Sequence, residues 1–303
     1  MTSDNCEICA ANSWSEVYHG PVRDGIFGSS REQASVARCG RCGVDRLDEE
    51  CTLPESAYET EVYRKKLQQG LNSESYFRTH DELNIHTLQA LWPTSFRGAV
   101  IADVGCAGGS LLDHLHGVSS VQVAIEPCDI FHKSLKQRGY QSYPYISSAL
   151  HDWAGKVDYI FSIQVIEHVR NPLSFLMEIR ELLAPGSRLV ISTPNRNDIL
   201  MSLLPHDFPK FFYRVVHRWY FDVKSLTECA LRAGFDVVET RFTQRYGMAN
   251  AVAWMRDRVP TGHSRIDAID SLADKLWRCY LEESGQADCI YMILQPASKK
   301  ANQ

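Results

Sequence analysis

The sequence predicts an α/β protein, a doubly wound and mainly parallel sheet with a small zinc-binding domain ahead of it. Three observations carry this reading. From residue 98 onward, short apolar runs alternate with helical stretches through short loops. The first of these runs ends in a glycine-rich turn that opens a helix. Near the N-terminus, four of the ten cysteines fall into two Cys-x-x-Cys pairs. A length of 303 residues suggests two domains by the soft rule of ~150 residues per domain. With 44% hydrophobic residues, collagen-like, low-complexity and disordered classes are excluded.

The sheet is read element by element. Val100 to Val104 is a strand with Asp103 near its end, and Gly105-Cys106-Ala107-Gly108-Gly109-Ser110 is the turn before a helix carrying Leu111, Leu112 and Leu115. Val121 to Ile125 is the second strand, ending at Glu126-Pro127. The helix Ile130 to Arg138 follows, with Gly139 as its C-cap. A third strand is placed near Gln141 to Tyr145 and a fourth at Asp158 to Ile163. Asn171-Pro172 starts a helix, with proline at the first helical position. Pro185-Gly186 is read as the turn into a fifth strand, Arg188 to Ser192. Later segments supply a strand from Phe235 to Phe242, a helix from Ala249 to Arg258, a helix marked by Ile266, Ile269, Leu272, Leu276 and Tyr280, and a last strand from Asp288 to Leu294.

Cys6-x-x-Cys9 and Cys39-x-x-Cys42 each let a tight turn aim two sulfurs at one ion, and two such turns complete the tetrahedral thiolate set of a zinc ribbon. About 50 residues make a poor core alone, so a metal staple is physically sensible. Ordinary buried or free thiols are the alternative. Short strands are expected at Val17-Tyr18 and Ala34 to Arg38, and two helices between Pro54 and Gln89, where Tyr58, Val62, Tyr63 and Leu67 recur at helical spacing. The expected organisation is a zinc-ribbon-like domain at 1–53, a helical linker or cap at 54–97, and a main domain at 98–296. A tail at 297–303 is expected to be disordered.

Asp103-Val-Gly105-Cys-Ala-Gly-Gly109, Glu126, Gln164-Val-Ile-Glu167-His168-Val, Pro185-Gly186 and Thr193-Pro194-Asn195 together resemble class I S-adenosylmethionine (SAM)-dependent methyltransferases. The Val-Ile-Glu-His-Val and Ser-Thr-Pro-Asn stretches are similar to the branch that contains the ubiquinone-biosynthesis O-methyltransferases, as is His217-Arg-Trp-Tyr220-Phe221. The resemblance covers roughly residues 98–240. More loosely, the tail with Tyr246-Gly247, Trp254 and Gly262-His263 resembles methyltransferases encoded with surface-polysaccharide genes, and the cysteine head is similar to those of deoxysugar methyltransferases. Two departures stand out. Ala107 replaces the more usual glycine, which is tolerable with a negative φ, and Ser147 to Asp152 offers no family motif for the adenine edge.

The resemblance implies a Rossmann-like sheet of seven strands, closed by an antiparallel sixth and seventh pair. It implies SAM as methyl donor and S-adenosylhomocysteine as product. The donor site would be lined by Asp103, Gly105, Cys106, Ala107, Gly109, Glu126, Pro127 and Gln164. Asp103 would hold the donor's amino end or cap the glycine turn, and Glu126 at a strand tip would accept both ribose hydroxyls. Gln164 would line the pocket or sit on the surface as an ordinary amide.

A hydroxyl acceptor must lose a proton, and a histidine suits that task. His168 and His217 are the favoured bases, with a structural hydrogen bond as the alternative for each; His206 is a third candidate. The segment 196–221 carries seven aromatics and reads as a lid over the acceptor, or as a packed peripheral helix. Arg214 and Arg218 in it are candidates to meet a phosphate. The segment 246–285 is read as a helical insertion completing the acceptor pocket or a homodimer face.

Thirty-two basic against 37 acidic residues give a net charge of −5, which disfavours a generic nucleic-acid coat. No apolar run approaches the ~20 residues needed to cross a bilayer, and Met1 to Ala10 does not read as a signal peptide, so a cytoplasmic location is expected. The leading expectation is methylation of a small polar acceptor, a sugar or sugar nucleotide, by O-methylation. The alternatives are an RNA or protein methyltransferase that docks through its zinc head, a non-catalytic scaffold, and an NAD-dependent enzyme. The Gly105-x-Ala107-x-Gly109 spacing is too tight for the last.

Overall fold

A computed structural model describes residues 5–26, 29–91, 94–260, 262 and 266–298. His263 and the tail beyond Ser298 lie outside the described residues. The strands, in chain order, are β1 (Trp14–Arg23), β2 (Ser30–Cys39), β3 (Asp45–Leu47), β4 (Val100–Val104), β5 (Val121–Ile125), β6 (Gln141–Tyr143), β7 (Val157–Ile163), β8 (Leu183–Pro194), β9 (Trp219–Tyr220), β10 (Phe235–Thr243) and β11 (Cys289–Pro296). The chain forms two compact units, neither continuous in sequence. The first joins the chain up to Leu53 with Thr193–Leu226 and Thr240–Tyr291. The second joins Pro54–Ser192, Thr227–Glu239 and the chain from Met292.

The first unit holds a four-stranded sheet in the order β1-β2-β3-β9. β1 and β2 are far longer than the short strands expected. Glu, Ser and Arg side chains break the apolar alternation there, and main-chain pairing from Trp14↔Cys39 to Arg23↔Ser30 carries the hairpin instead. The fourth strand comes from far along the chain: Asp45 pairs with Tyr220 and Arg46 with Trp219. Trp219, Tyr220 and Phe221 are thereby among the most deeply buried side chains.

Buried ion pairs fix the same segment. Asp45 accepts from Arg38 Nε at 2.7 Å and from Arg196 Nη1 at 2.8 Å. Arg196 also bonds Asp222. Arg218 reaches Glu7 at 3.0 Å and Glu49 at 3.1 Å, and Arg46 reaches Glu7 at 2.9 Å. Of the aromatics that the sequence assigns to a lid, Phe208, Phe212, Tyr213, Trp219, Tyr220 and Phe221 are all buried. Phe208 and Phe211 stand edge-on to Trp254 of the helix Met248–Asp257, with centroids 5.3 and 5.2 Å away.

A second helix of this unit, expected to take in Ile266 and Ile269, instead runs from Ser271 to Ser284. Asp270 stops it earlier by accepting a hydrogen bond from the Ala273 amide at 2.9 Å, as an N-cap does.

The second unit is built on a seven-stranded sheet in the order β10-β11-β8-β7-β4-β5-β6. The pairs β4–β5, β4–β7, β5–β6 and β7–β8 are parallel. Ile101, Ala102, Val123, Ala124, Ile160 and Phe161 are essentially inaccessible, as central parallel strands covered on both faces must be. The helix Pro172–Leu182 is capped by Asn171, which accepts from the Ser174 amide at 3.0 Å, and it buries Leu176, Ile179 and Leu182. Pro185-Gly186 is not a turn ahead of the fifth parallel strand. Leu183 already pairs with Val157, and the register then slips before Tyr159↔Arg188, so the dipeptide is an irregularity inside β8 with Gly186 at φ +79°.

Ahead of the sheet lie the short helix Val62–Lys66 and the longer helix Ser73–Ala90, the latter capped by Asn72. No helix among the described residues is long and apolar enough to cross a membrane.

A candidate donor site at the strand switch point

The strand order of the second unit reverses beside β4. The chain leaves β4 for β5 and β6 on one side, then returns through β7 and β8 on the other. Ligands of open α/β sheets bind in the crevice at such a point, beyond the C-terminal ends of the strands. Three loops meet there, those following β4, β5 and β7.

The loop after β4 hangs from the end of β5, with the Gly105 and Cys106 amides donating to the Ile125 carbonyl at 2.8 and 3.3 Å. It contains three left-handed residues, Gly105 (φ +82°), Ala107 (φ +48°) and Gly109 (φ +80°). The negative φ that would make Ala107 easily tolerated is thus not adopted. The Ala107 amide donates to Glu126 Oε2 at 2.7 Å, and that bond holds the alanine in a conformation L-residues seldom adopt. Glycine is required on either side. A Cβ on Gly105 would fall 2.5 Å from Val165, and one on Gly108 would fall 2.6 Å from the ring of Tyr76. Cys106 is buried in this loop, and burial pushes its thiol upward.

Glu126 crosses from the end of β5. Its Oε2 takes the Ala107 amide, and its Oε1 takes the Cys128 amide at 2.9 Å. Pro127 follows it, half-buried. Asp103 and Glu126 are each only 5% exposed. Burial, and then the Glu126 charge, push the Asp103 carboxyl up to about 8. Glu126 is also raised by burial, with the Arg64 guanidinium pulling the other way. Two buried acids side by side form a site short of positive charge.

Gln164 lies directly after β7. It is the second non-glycine residue at the switch point with a positive φ (+58°), and its side-chain nitrogen donates to Ser192 Oγ at 3.3 Å.

Two further residues border this site: Tyr76, one of the aromatics of the 54–89 stretch for which the sequence offers a ligand roof or helix core, and Arg64, which was not read from the sequence. Tyr76 covers Gly108, stacks on His80 with centroids 3.9 Å apart, and has its phenol pushed well up by burial. Arg64 is buried over the Phe131 ring at 4.5 Å and 5.4 Å from Tyr76, with Nη1 donating to Gln69 at 3.3 Å. The glycine pair Gly108-Gly109 was the one available signal, since adjacent glycines mark a backbone that something approaches closely.

The two histidines favoured as bases fall in different units. His168 belongs to the second, half-buried, with the rings of Tyr58 and Tyr63 at 5.3 and 5.6 Å. His217 belongs to the first, buried, with its ring 6.0 Å from that of Tyr220. His206 is exposed.

In the first unit, the structure brings Cys6, Cys9, Cys39 and Cys42 together, all buried, with their sulfurs within 4.8 Å of one another. Each Cys-x-x-Cys turn ends on a left-handed residue, Ala10 in one and Gly43 in the other. Burial in that unit also redirects a sequence expectation: the Arg218 guanidinium is engaged by Glu7 and Glu49.

Residues 76–240 match the family model described as a methyltransferase domain. The chain belongs to that family. A ubiquinone biosynthesis O-methyltransferase of Cereibacter sphaeroides is 30% identical over 175 residues, 54% of this chain and 68% of its own length. Another, of Dinoroseobacter shibae, is 26% identical over 160 residues, 49% of this chain and 64% of its own. Among solved structures, a SAM-dependent methyltransferase of Archaeoglobus fulgidus is 15% identical. It covers 73% of this chain and 96% of its own, with a TM-score of 0.48.

The chain is thus a SAM-dependent methyltransferase, and its switch-point residues fit that donor. SAM supplies a methyl group on a positively charged sulfur. The buried acids Asp103 and Glu126 suit a cationic, hydroxyl-bearing ligand.

Proposed function

We propose that the chain transfers the methyl group of SAM to a hydroxyl oxygen of a small, phosphate-bearing polar acceptor, a sugar or sugar nucleotide. Asp103 receives the donor's ammonium, and Glu126 accepts from its ribose hydroxyls. Gly105, Cys106, Ala107, Gly109 and Pro127 form the wall, and Gln164 borders the transfer point. The sugar reading rests on the resemblance of the tail and of the cysteine head. The named relatives favour a second acceptor, a phenol, because they are O-methyltransferases of ubiquinone biosynthesis.

The observation that carries O-methylation is His168, which follows the C-terminal end of β7 with its ring tilted against Tyr58 and edge-on to Tyr63. A ring held this way can take the hydroxyl proton as the methyl leaves sulfur, and general bases contribute about 10²–10⁴-fold. His217 is the other candidate base. The test is methyl transfer from SAM to a panel of sugar phosphates, sugar nucleotides and phenols, followed by mass spectrometry of the products. His168→Gln should lower kcat by about 10²-fold or more with SAM affinity kept. An unchanged kcat, with His217→Gln inactive instead, would move the role to His217.

The four cysteines hold a structural zinc ion in this reading. Tetrahedral Zn–S bonds of ~2.3 Å put sulfurs ~3.8 Å apart. The Cys6–Cys42 and Cys9–Cys39 sulfurs lie 3.6 and 3.5 Å apart, close to that spacing. The Cys6–Cys42 contact draws the Cys6 thiol down to about 5 and pushes the Cys42 thiol up, so without a metal the pair shares one proton.

A further inference from the structure

The helix Ser271–Ser284 of the first unit turns its apolar stripe outward. The three most exposed large hydrophobic side chains among the described residues are Leu276 (61%), Leu272 (60%) and Tyr280 (59%), and all three belong to this helix. Their spacing of four residues puts them on one face. Cys279, also exposed, lies on the same face. Single exposed hydrophobics are ordinary on a protein surface, whereas a row of them marks a place where another surface belongs.

The inward side of the helix shows why the stripe is not needed to hold it. Asp274 accepts from the Ala249 amide at 3.1 Å, in the first turn of the helix Met248–Asp257. Glu282 accepts from the Gln244 amide at 2.9 Å, and Leu281 is fully buried. Two acids are thus spent on main-chain donors of the same unit, and the usual distribution of an amphipathic helix is inverted. Leaving the leucines and the tyrosine in water forfeits roughly 25 cal/mol for every Å² of apolar surface that a partner would cover.

The charges along the stripe select the partner. Lys275 and Glu283 are both exposed, the lysine beside Leu276 and the glutamate three residues beyond Tyr280. A partner of one charge sign would match only one end of this face. The same face run in the opposite direction matches both. With a twofold axis level with position 278, Leu276 packs on Tyr280 of the second copy. Lys275 then comes within about two residues, or ~3 Å along the axis, of Glu283 of the second copy. The symmetry repeats each contact. Asp270, the acid nearest the other end of the helix, is engaged as its N-cap.

We propose that the outward face of this helix, made by Leu272, Leu276 and Tyr280, pairs antiparallel with the same face of a second copy of this chain. The inference goes beyond the methyl-transfer reading and does not rest on it. A helix of 14 residues is about 21 Å long, so this face alone covers less than the ~800 Å² per partner of a standard interface. The dimer therefore dissociates in the micromolar range.

The test is sedimentation equilibrium of the 303-residue chain from about 1 to 100 μM, with melting curves of the dilute chain to report that each variant folds. Wild type should pass from monomer to dimer across that range. Leu276→Glu should weaken the dimer by about tenfold or more, because it sets an acid against an apolar contact twice per dimer. Lys275→Glu and Glu283→Lys should each weaken it by about three- to tenfold, and the double swap should restore it, since only self-pairing in opposite directions exchanges the two charges. Wild type that stays monomeric at 100 μM would overturn the second copy as occupant and leave the face to a different protein. A dimer that Leu276→Glu does not weaken, or single swaps that the double swap does not rescue, would overturn the antiparallel pairing.

Discussion

Two buried aspartates at strand level show how differently the two units handle charge. Asp45 in the first unit is inaccessible and is gripped by two arginines, Arg38 and Arg196. Asp103 in the second unit is almost as buried, yet the neighbour that acts on it most is another acid, Glu126, and its carboxyl is raised to about 8. Asp45 has its counter-charge supplied by the chain, so it belongs to the architecture. Asp103 has a proton where a cation would serve, which is the state of a group prepared for a positively charged ligand. The cysteine cluster repeats the lesson: four buried sulfurs converge, and a metal would complete them.

Breaking the first unit should have the largest effects. On the zinc proposal, stripping metal with a strong chelator, or replacing Cys39 with Ser, should unfold the cysteine-bearing head, because structural zinc contributes about 10–16 kcal/mol of apparent binding energy to such sites. Elemental analysis and circular dichroism check this; a metal-free chain with an unchanged spectrum would reject the zinc ion. Asp45→Ala should cost about 3–5 kcal/mol of stability, since it leaves Arg38 and Arg196 facing an emptied site. Denaturant titration measures that cost, and a loss below about 1 kcal/mol would class the cluster with surface pairs.

The donor site should respond in binding more than in stability. Glu126→Ala removes the acceptor for the Ala107 and Cys128 amides as well as the ribose contact, so SAM affinity should fall by about 10- to 100-fold. Unchanged affinity would remove Glu126 from the donor site.

The smallest effect is a pH slope. In the unfolded chain Asp103 ionises near ~3.9, whereas in the fold it keeps its proton to about 8. Between those values the native state binds more protons than the unfolded state, so this group's contribution to stability falls as pH rises through the window. Asp103→Asn should flatten that part of the stability profile of the ligand-free protein, and melting curves from pH 5 to pH 8 provide the check.

Much of the candidate donor site was legible because its signals are local. The strand, glycine turn and helix at 100–115, and the acid at the tip of β5, sit in unbroken stretches of sequence whose chemistry is set by neighbours in the chain. The four cysteines were legible for the same reason. Long-range pairing was not. Nothing in Trp219-Tyr220 announces that it completes a sheet with Asp45 and Arg46, and so nothing announced that the head's unit also takes in residues 193–226 and 240–291. The left-handed Ala107 was missed because a hydrogen bond from Glu126, nineteen positions away, decides it. Arg64 was missed because a residue that covers a site carries no motif of its own.

We propose that the buried, proton-bearing acid at the end of β4 receives the donor's positive charge. Calorimetric titration of SAM into wild type and Asp103→Asn at pH 6.5, in two buffers of different ionisation enthalpy, tests it most directly. Wild type should bind SAM with release of close to one proton, and Asp103→Asn should bind more weakly and release none. Binding by wild type without proton release, or equal binding by the variant, would contradict it.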